Sequence, residues 1–531
     1  MKSQEKQEPQ NRGICSKCHK VVLVHHAERD GKIYLVKECP DCGVTESLVS
    51  CNAGRYQEKR AMAGYEGEAE KTCSLKCPEC NIHKPPTLVF IDVTNRCNMN
   101  CPICLANIPA MGFRFDPPME YFEKIFDVLS RMNPRPKIEL FGGEPTVRED
   151  LIEMIELAKK KYGLSARVVT NGIRLADEEY CKTLLATETE LMFSFDGRSP
   201  RIYERMRKHH GFYEKKLKAL ENVGKHRKSK ITIMCCVGKG VNDEYLADLL
   251  DFCHEQRNCI AALDLIPLTA TWGPEEVDAE SATIEDVEQM MAEAAPGTEF
   301  FPASMLYCLT TLRSTFDVGR LTFGGAHPNC EAVSVMISDG RKYHPASKYL
   351  NRSFKDVIIE MVALDKETGK KLEQSLIARM FGRRGRQVLY GAALLKFFRR
   401  NINTREVFAG GATLKLLRII WGFARGVKMK DLLRANTKCH GILRLMILPF
   451  EEKECIESAR LVDCPASFAY EHPLTREIRM MPVCAWTIYK NNILRKTSEH
   501  YGVDHATGQV GLDLVKNQID PEAKAAGQRT S

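Results

Sequence analysis

Between residues 88 and 268, short apolar runs alternate with longer stretches in which apolar positions recur every three or four residues. The runs at 88–94, 137–141, 166–170, 190–195, 230–237 and 262–268 are rich in Val, Ile, Leu and Phe and have strand length. The periodic stretches at 119–132, 151–162, 177–185, 213–226 and 243–256 predict amphipathic helices. Parallel strands need a crossover between them, so strands that alternate with helices predict a parallel sheet. Right-handed crossovers would curl it into a partial (β/α)6 TIM-like barrel. The expected fold class is therefore α/β. A small metal domain, rubredoxin-like or zinc-ribbon-like, precedes the barrel, and a helical, cysteine-bearing region follows it.

The chemistry-bearing residues fall just after the predicted strands, at the end where such barrels gather their active sites. Cys97, Cys101 and Cys104 follow the first strand as Cys-x3-Cys-x2-Cys. Gly142-Gly143-Glu144-Pro145 follows the second, Thr170-Asn171-Gly172 the third, and Ser194 to Gly197 the fourth. Three thiolates on one loop can hold three irons of a 4Fe–4S cluster, whereas an electron-transfer cluster has four. The fourth iron is then open to a cofactor or substrate.

Two further cysteine groups precede the barrel. Cys15, Cys18, Cys39 and Cys42 form two two-residue-gap pairs, separated by strand-like runs at 21–24 and 32–36 and a turn at Asp30-Gly31. Four thiolates so arranged make a tetrahedral site for zinc or a single rubredoxin-type iron. Its role is either a structural staple or an electron relay. Cys73, Cys77 and Cys80 repeat the spacing of the first triplet, as an auxiliary 4Fe–4S cluster or a structural zinc site. Behind the barrel, Cys330 follows His327-Pro328-Asn329, and Cys464 and Cys484 lie in the last part of the chain. Cys181, Cys235, Cys236, Cys253 and Cys259 sit in helix or strand patterns and read as buried thiols; Cys308 either joins Cys330 as a ligand or, the favoured reading, sits in the core. The expected divisions are 1–65 (four-cysteine metal domain), 66–86 (auxiliary iron–sulfur segment), 87–300 (barrel) and 301–365 (post-barrel segment with Cys330). A basic helical segment at 366–438, an auxiliary-cluster segment at 439–500 and a polar tail at 501–531 complete the chain.

Composition sharpens this picture. Twenty-two cysteines in a chain of 531 residues, without an apolar leader, favour metal binding over disulfides. No run reaches the roughly 18 apolar residues of a membrane helix, and a cytoplasmic protein is expected. The net charge of +8 is local. Residues 366–438 hold 18 Lys and Arg against 4 Asp and Glu, a balance of +14, so the remainder is −6. Around 414–430, Leu416, Leu417, Ile420, Trp421, Phe423, Ala424 and Val427 share one helical side, and Lys415, Arg418 and Arg425 the other. A basic amphipathic helix suits an anionic membrane surface, here the inner face of the cell membrane. A solvated face of a packed helical subdomain is the plainer alternative. No nucleic-acid module accompanies the patch, so nucleic acid is not the expected partner.

Cys-x3-Cys-x2-Cys followed by Gly-Gly-Glu-Pro closely resembles the radical S-adenosylmethionine (SAM) enzymes. The resemblance implies that the open iron chelates SAM and that the reduced cluster cleaves it to a 5′-deoxyadenosyl radical. It also implies that Gly142, Gly143, Glu144 and Pro145 border the methionine part, with Glu144 near its ammonium. Ile103 would lie against adenine, and Thr170, Asn171, Ser194 and Asp196 near ribose or carboxylate. The wider pattern adds Cys73 to His83, Asp92 to Cys104, Thr170 to Ala176, Phe195-Asp196-Gly197 and His327 to Cys330. It resembles the tetraether lipid synthases and their bacterial relatives, some once assigned as pterin methyltransferases. That resemblance implies a C–C bond between unactivated carbons of two lipid chains, with two SAM used per bond. An auxiliary cluster would hold the first lipid radical, and a C-terminal set including Cys330, Cys464 and Cys484 would ligate one such cluster. A reduced ferredoxin or flavodoxin type protein would donate electrons. A soluble substrate such as a pterin, or a non-enzymatic electron carrier, are the competing classes.

Overall fold

The computed structural model describes residues 10–65, 73–79, 85–208, 211–226, 231–269, 280–316, 327–425, 427, 429–449 and 453–503. The chain divides into two compact units. One comprises Met1–Leu75, Lys230–Pro267 and Ser281–Pro465; the other comprises Lys76–Ser229, Leu268–Glu280 and Ala466–Ser531.

The first unit opens with an antiparallel sheet of β1 (Arg12–Ile14), β2 (Val21–Arg29), β3 (Lys32–Cys39) and β4 (Gly43–Ser50), paired in chain order. Asp30 and Gly31 both take positive φ between β2 and β3, the two-residue turn for which Asp-Gly is suited. The second unit contains β5 (Leu88–Thr94), β6 (Lys137–Gly142), β7 (Ala166–Thr170) and β8 (Glu190–Ser194), parallel and side by side. Every residue of β5 is buried, as in a parallel strand covered on both faces. Helices Met119–Ser130, Leu151–Lys160 and Glu178–Ala186 make the crossovers.

The first unit resumes with parallel β9 (Ile231–Val237) and β10 (Ile260–Pro267), then β11 (Phe301–Pro302), β12 (Ala332–Ser338), β13 (Tyr343–Pro345) and β14 (Gly441–Ile447). β14 lies parallel to β10 and antiparallel to β12. The second unit ends with β15 (Ala466–Glu471), parallel to β5, β16 (Ile478–Pro482), antiparallel to β15, and the helix Val483–His500. Its strand order is β8-β7-β6-β5-β15-β16. The parallel strands are consistent with a partial barrel that does not close.

Cys181, Cys235, Cys236, Cys253 and Cys259 are buried, but Cys308 is exposed, contrary to its expected place in the core. The basic segment is helical over Phe354–Gln374, Leu376–Asn401, Thr404–Val407, Ala412–Ala424 and Met429–Asn436. In Ala412–Ala424 it is Ile419 that packs, with Phe408 and Leu432, while Leu414, Leu417 and Trp421 face outward. No helix among the described residues is long and apolar enough to cross a membrane. Cys80, residues 324–326 and the tail from 504 onward lie outside the described residues.

Candidate active site

The loop that carries Cys97, Cys101 and Cys104 leaves β5 and is braced on several sides within the second unit. Asn95 pairs with Phe115 twice: its backbone N–H donates to Phe115 O (2.9 Å), and its Oδ1 accepts from Phe115 N (2.7 Å). Arg96 and Arg148 both reach Asp116, at 2.9 and 3.1 Å. Trp486 Nε1 donates to the buried Asp92 carboxylate at 2.6 Å, and Lys490 donates to Ala106 O. The helix Val483–His500, the last among the described residues, thus supports the cysteine loop, a relation that local sequence pattern cannot reveal.

Cys101 is buried, and Cys97 and Cys104 are partly so; all three are free thiols. Burial raises the Cys97 thiol well above its ordinary range, reinforced by Glu144 and by the other two sulfurs. Burial also lifts Cys101, to about 11, against the pull of Arg207. Such thiols ionise by binding metal, which inverts the local charge balance. Among the described residues, only Cys15, Cys18, Cys39 and Cys42 bring all their ligand atoms within 4.8 Å of one another. The triplet therefore does not converge on one point. That arrangement suits three ligands to three different irons better than a single ion.

The two glycines after β6 have a clear steric cause. A Cβ on Gly142 would lie 2.4 Å from Thr94 O, and one on Gly143 would lie 2.1 Å from Arg96 O. Gly142 also takes φ +120, which side-chain-bearing residues avoid. This close approach lets Gly143 N donate to Thr94 O (2.7 Å) and Glu144 N to Arg96 O (2.9 Å). The backbone met here is the protein's own, immediately ahead of Cys97.

Glu144 is buried, which raises its carboxyl, but its oxygens are well supplied with donors. Oε1 accepts from Thr146 N and Oγ1 and from Thr170 Oγ1; Oε2 accepts from Asn171 N at 2.7 Å. It therefore locks the ends of β6 and β7 together, with acceptor capacity remaining on Oε2. Pro145 opens a short 3-10 turn that Glu144 caps. Asn171 Nδ2 donates to Asn98 Oδ1 (2.7 Å), linking the end of β7 to the cysteine loop. Ile103 is buried between the second and third cysteines.

Asp196 is buried and engaged on both oxygens by Arg207, whose Nε and Nη2 donate at 2.9 and 3.0 Å. Lys216 Nζ donates to Asn171 O and Ser194 O, both at 2.6 Å. Burial lowers Lys216 to about 8, with Asp196 opposing and Arg207 adding to the shift. Two cations, the buried Lys216 and the half-buried Arg207, thus stand among Ser194, Asp196 and Cys101. Sequence reasoning misses both, although Arg207 ends a helix, Pro200–Arg207, that lies directly after Ser-Phe-Asp-Gly.

In the first unit, Cys15 and Cys18 leave β1, and Cys39 and Cys42 flank the β3–β4 turn. Cys18 Sγ and Cys39 Sγ are 3.6 Å apart. The backbone N–H groups of Cys18 and Lys17 hold Cys15 down at about 6, favouring the thiolate a metal needs. Replacing Cys39 by serine is expected to remove one metal ion per chain and to unfold this small sheet, since structural sites of this kind supply folding energy. Metal analysis and amide exchange over residues 10–51 read both effects.

The remaining candidate ligands lie outside these two sites. Pro78 O, next to Cys77, accepts from Arg479 of β16 (2.8 Å). Cys330 lies in a turn closed by Cys330 N to His327 O, and Cys464 follows the short helix Ser458–Leu461. Cys484 opens the C-terminal helix. Cys73, Cys330 and Cys464 belong to the first unit, Cys77 and Cys484 to the second.

Residues 91–253 match the model of the radical SAM superfamily, and residues 10–51 that of the HMPTM N-terminal zinc ribbon domain. Residues 91–253 are accordingly a radical SAM superfamily domain with the α/β fold of that class, preceded by a zinc-ribbon-like N-terminal domain. Among its relatives is the 7,8-dihydro-6-hydroxymethylpterin dimethyltransferase of Methanocaldococcus jannaschii. The two are 28% identical over 375 residues, covering 67% of this chain and 73% of that protein. The mitochondrial GTP 3′,8-cyclase of Arabidopsis thaliana is 25% identical over 190 residues, 34% of this chain and 46% of its own. The solved structure of histidine-tagged anSMEcpe with bound AdoMet covers 60% of this chain and 96% of its own, at 16% identity and a TM-score of 0.33. That last likeness is too remote to carry an argument. Membership of the superfamily implies a 4Fe–4S cluster and SAM. The four-cysteine site fits zinc or iron, and the other cysteines allow auxiliary clusters.

Proposed function

We infer that this enzyme abstracts hydrogen from unactivated C–H bonds of lipid chains and joins two such carbons, as in tetraether or membrane-spanning lipid synthesis. The radical half of the reading is carried by the braced, largely enclosed triplet Cys97, Cys101 and Cys104. The lipid half is supported by residues 366–438, whose +14 balance is interleaved with apolar side chains left facing outward. When bound, SAM reduced by one electron supplies the hydrogen-abstracting radical. The balance is two C–H bonds, two SAM and two electrons giving one C–C bond, two methionines and two 5′-deoxyadenosines. A ferredoxin or flavodoxin type protein would supply the electrons.

The protein's own contribution is position. Glu144 and Asn171 hold the ends of β6 and β7 against the cysteine loop. Gly142 to Pro145, Ile103, Thr170, Ser194 and Asp196 would line the SAM site. Arg207 and Lys216 would add positive charge facing a carboxylate. The auxiliary ligands would come from Cys73, Cys77 and Cys80 and from Cys330, Cys464 and Cys484. Transfer of one-carbon units to a pterin is the second reading, favoured by the name of the 28% identical relative.

The decisive measurement is the lipid extract of cells with and without the gene. The lipid reading expects a product with the mass of two chains less two hydrogens, present only with the gene. Unchanged lipids together with a methylated pterin would replace it by the second reading.

A further inference from the structure

Among the described residues, sixteen large hydrophobic side chains are exposed, and ten of them lie between residues 376 and 427. The same span holds eleven Lys and Arg and one acidic residue, Glu406. The concentration peaks at the start of the helix Leu376–Asn401. Leu376 is 71% exposed, Ile377 50%, Met380 76% and Phe381 64%. Arg379, Arg383 and Arg384 stand exposed between and beside them.

The backbone here is built to hold that turn. Ser375 caps the helix by accepting from Ala378 N. Gly382 then breaks it, at φ 54 and ψ −132, a conformation essentially restricted to glycine. Past the break, Gly385 packs so tightly that a Cβ would lie 2.5 Å from Ile377 O. The first turn is thus folded back on the rest of the helix, with Ala378 buried and its neighbours turned outward. The inner side is anchored by a separate core in which Leu372, Ala378 and Tyr390 pack, with Tyr390 Oη donating to Asp365 at 2.6 Å. Burying apolar side chains inward stabilises a helix in water. Leaving four apolar side chains of one short stretch outward suits a second, less polar medium.

We propose that the kinked turn Leu376 to Arg384, together with Leu414, Leu417 and Trp421 of the helix Ala412–Ala424, docks the protein on an anionic lipid bilayer. Charge decides between possible occupants. A second copy of this surface would bring like-charged arginines together, whereas phosphate-bearing headgroups complement them. Leu, Ile, Met and Phe enter the acyl boundary while Arg379, Arg383 and Arg384 remain at headgroup level. The docking stands on this surface alone and holds for any substrate. If the lipid reading is right, it also brings the enzyme to its substrate.

The test uses the full chain, reconstituted anaerobically, sedimented with vesicles of phosphatidylcholine alone or mixed with phosphatidylglycerol. Wild type is expected to bind the mixed vesicles and to bind neutral ones weakly. Met380→Glu with Phe381→Glu, and separately Arg379→Gln with Arg383→Gln and Arg384→Gln, are each expected to weaken binding by about tenfold or more. Quenching of Trp421 by lipid-borne quenchers, absent in Trp421→Phe, reports insertion. Production of 5′-deoxyadenosine in detergent-free buffer should be unchanged in these variants, which separates failed docking from a failed radical assignment. Equal sedimentation of wild type and both variants overturns the proposal. So does a wild-type dimer that the variants convert to monomer, since the face would then be a protein interface.

Discussion

Replacing any one of Cys97, Cys101 and Cys104 by alanine should abolish production of 5′-deoxyadenosine from SAM. Loss of a partner that merely supports a metal ligand already costs about 10–100-fold. Loss of a ligand should exceed that, because it removes one of the three thiolates that would hold the cluster. The variants should still load the Cys15, Cys18, Cys39 and Cys42 site, which belongs to the other compact unit. Anaerobic iron and sulfide analysis, with SAM cleavage measured under dithionite, gives the two readouts together. A Cys101→Ala protein that kept normal 5′-deoxyadenosine formation would remove the triplet from the reaction altogether.

The elements that form the site are legible in the sequence to different degrees, and the reasons are physical. β5 and β7 fall on the bounds expected for them, 88–94 and 166–170, because a strand buried on both faces is a largely apolar run, broken here only by Asp92 in β5 and Arg167 in β7 before the closing threonines, and is ended by polar loop residues. The helix Pro200–Arg207 gives no such signal. It buries only Ile202, Tyr203 and Met206 among charged neighbours, too short a pattern to show a period. Arg207 is missed with it. β15 pairs with β5 across more than 370 residues of chain, and β14 with β10 across about 180. Each is an ordinary apolar run until its partner is known, because strand pairing is set by tertiary packing rather than by local propensity. The same holds for Trp486 and Lys490, which support the cysteine loop from the end of the chain. The Gly142-Gly143 pair is visible as a motif, but its steric cause is not. Sequence suggests an approach of backbone to cofactor; the structure shows backbone meeting backbone.

That difference makes Gly143→Ala the most informative single substitution after the cysteines. Its Cβ would lie 2.1 Å from Arg96 O, 2.8 Å from Arg96 C and 3.0 Å from Asn95 C. All three are main-chain atoms, so no side chain can swing aside. Relief requires moving the loop, which breaks the Gly143 N to Thr94 O and Glu144 N to Arg96 O bonds. Overpacking of this kind costs about 1–3 kcal/mol, and each lost bond adds about 1 kcal/mol more. Because Arg96 directly precedes Cys97, the displacement falls on the cluster ligand itself. The expected result is loss of iron from the triplet and of 5′-deoxyadenosine formation together, with the N-terminal metal retained. A glycine needed only for the approach of SAM would behave otherwise: iron content would be normal and SAM binding alone would fail. Iron analysis beside equilibrium binding of SAM therefore tells the two roles apart, and full iron with full turnover would deny both.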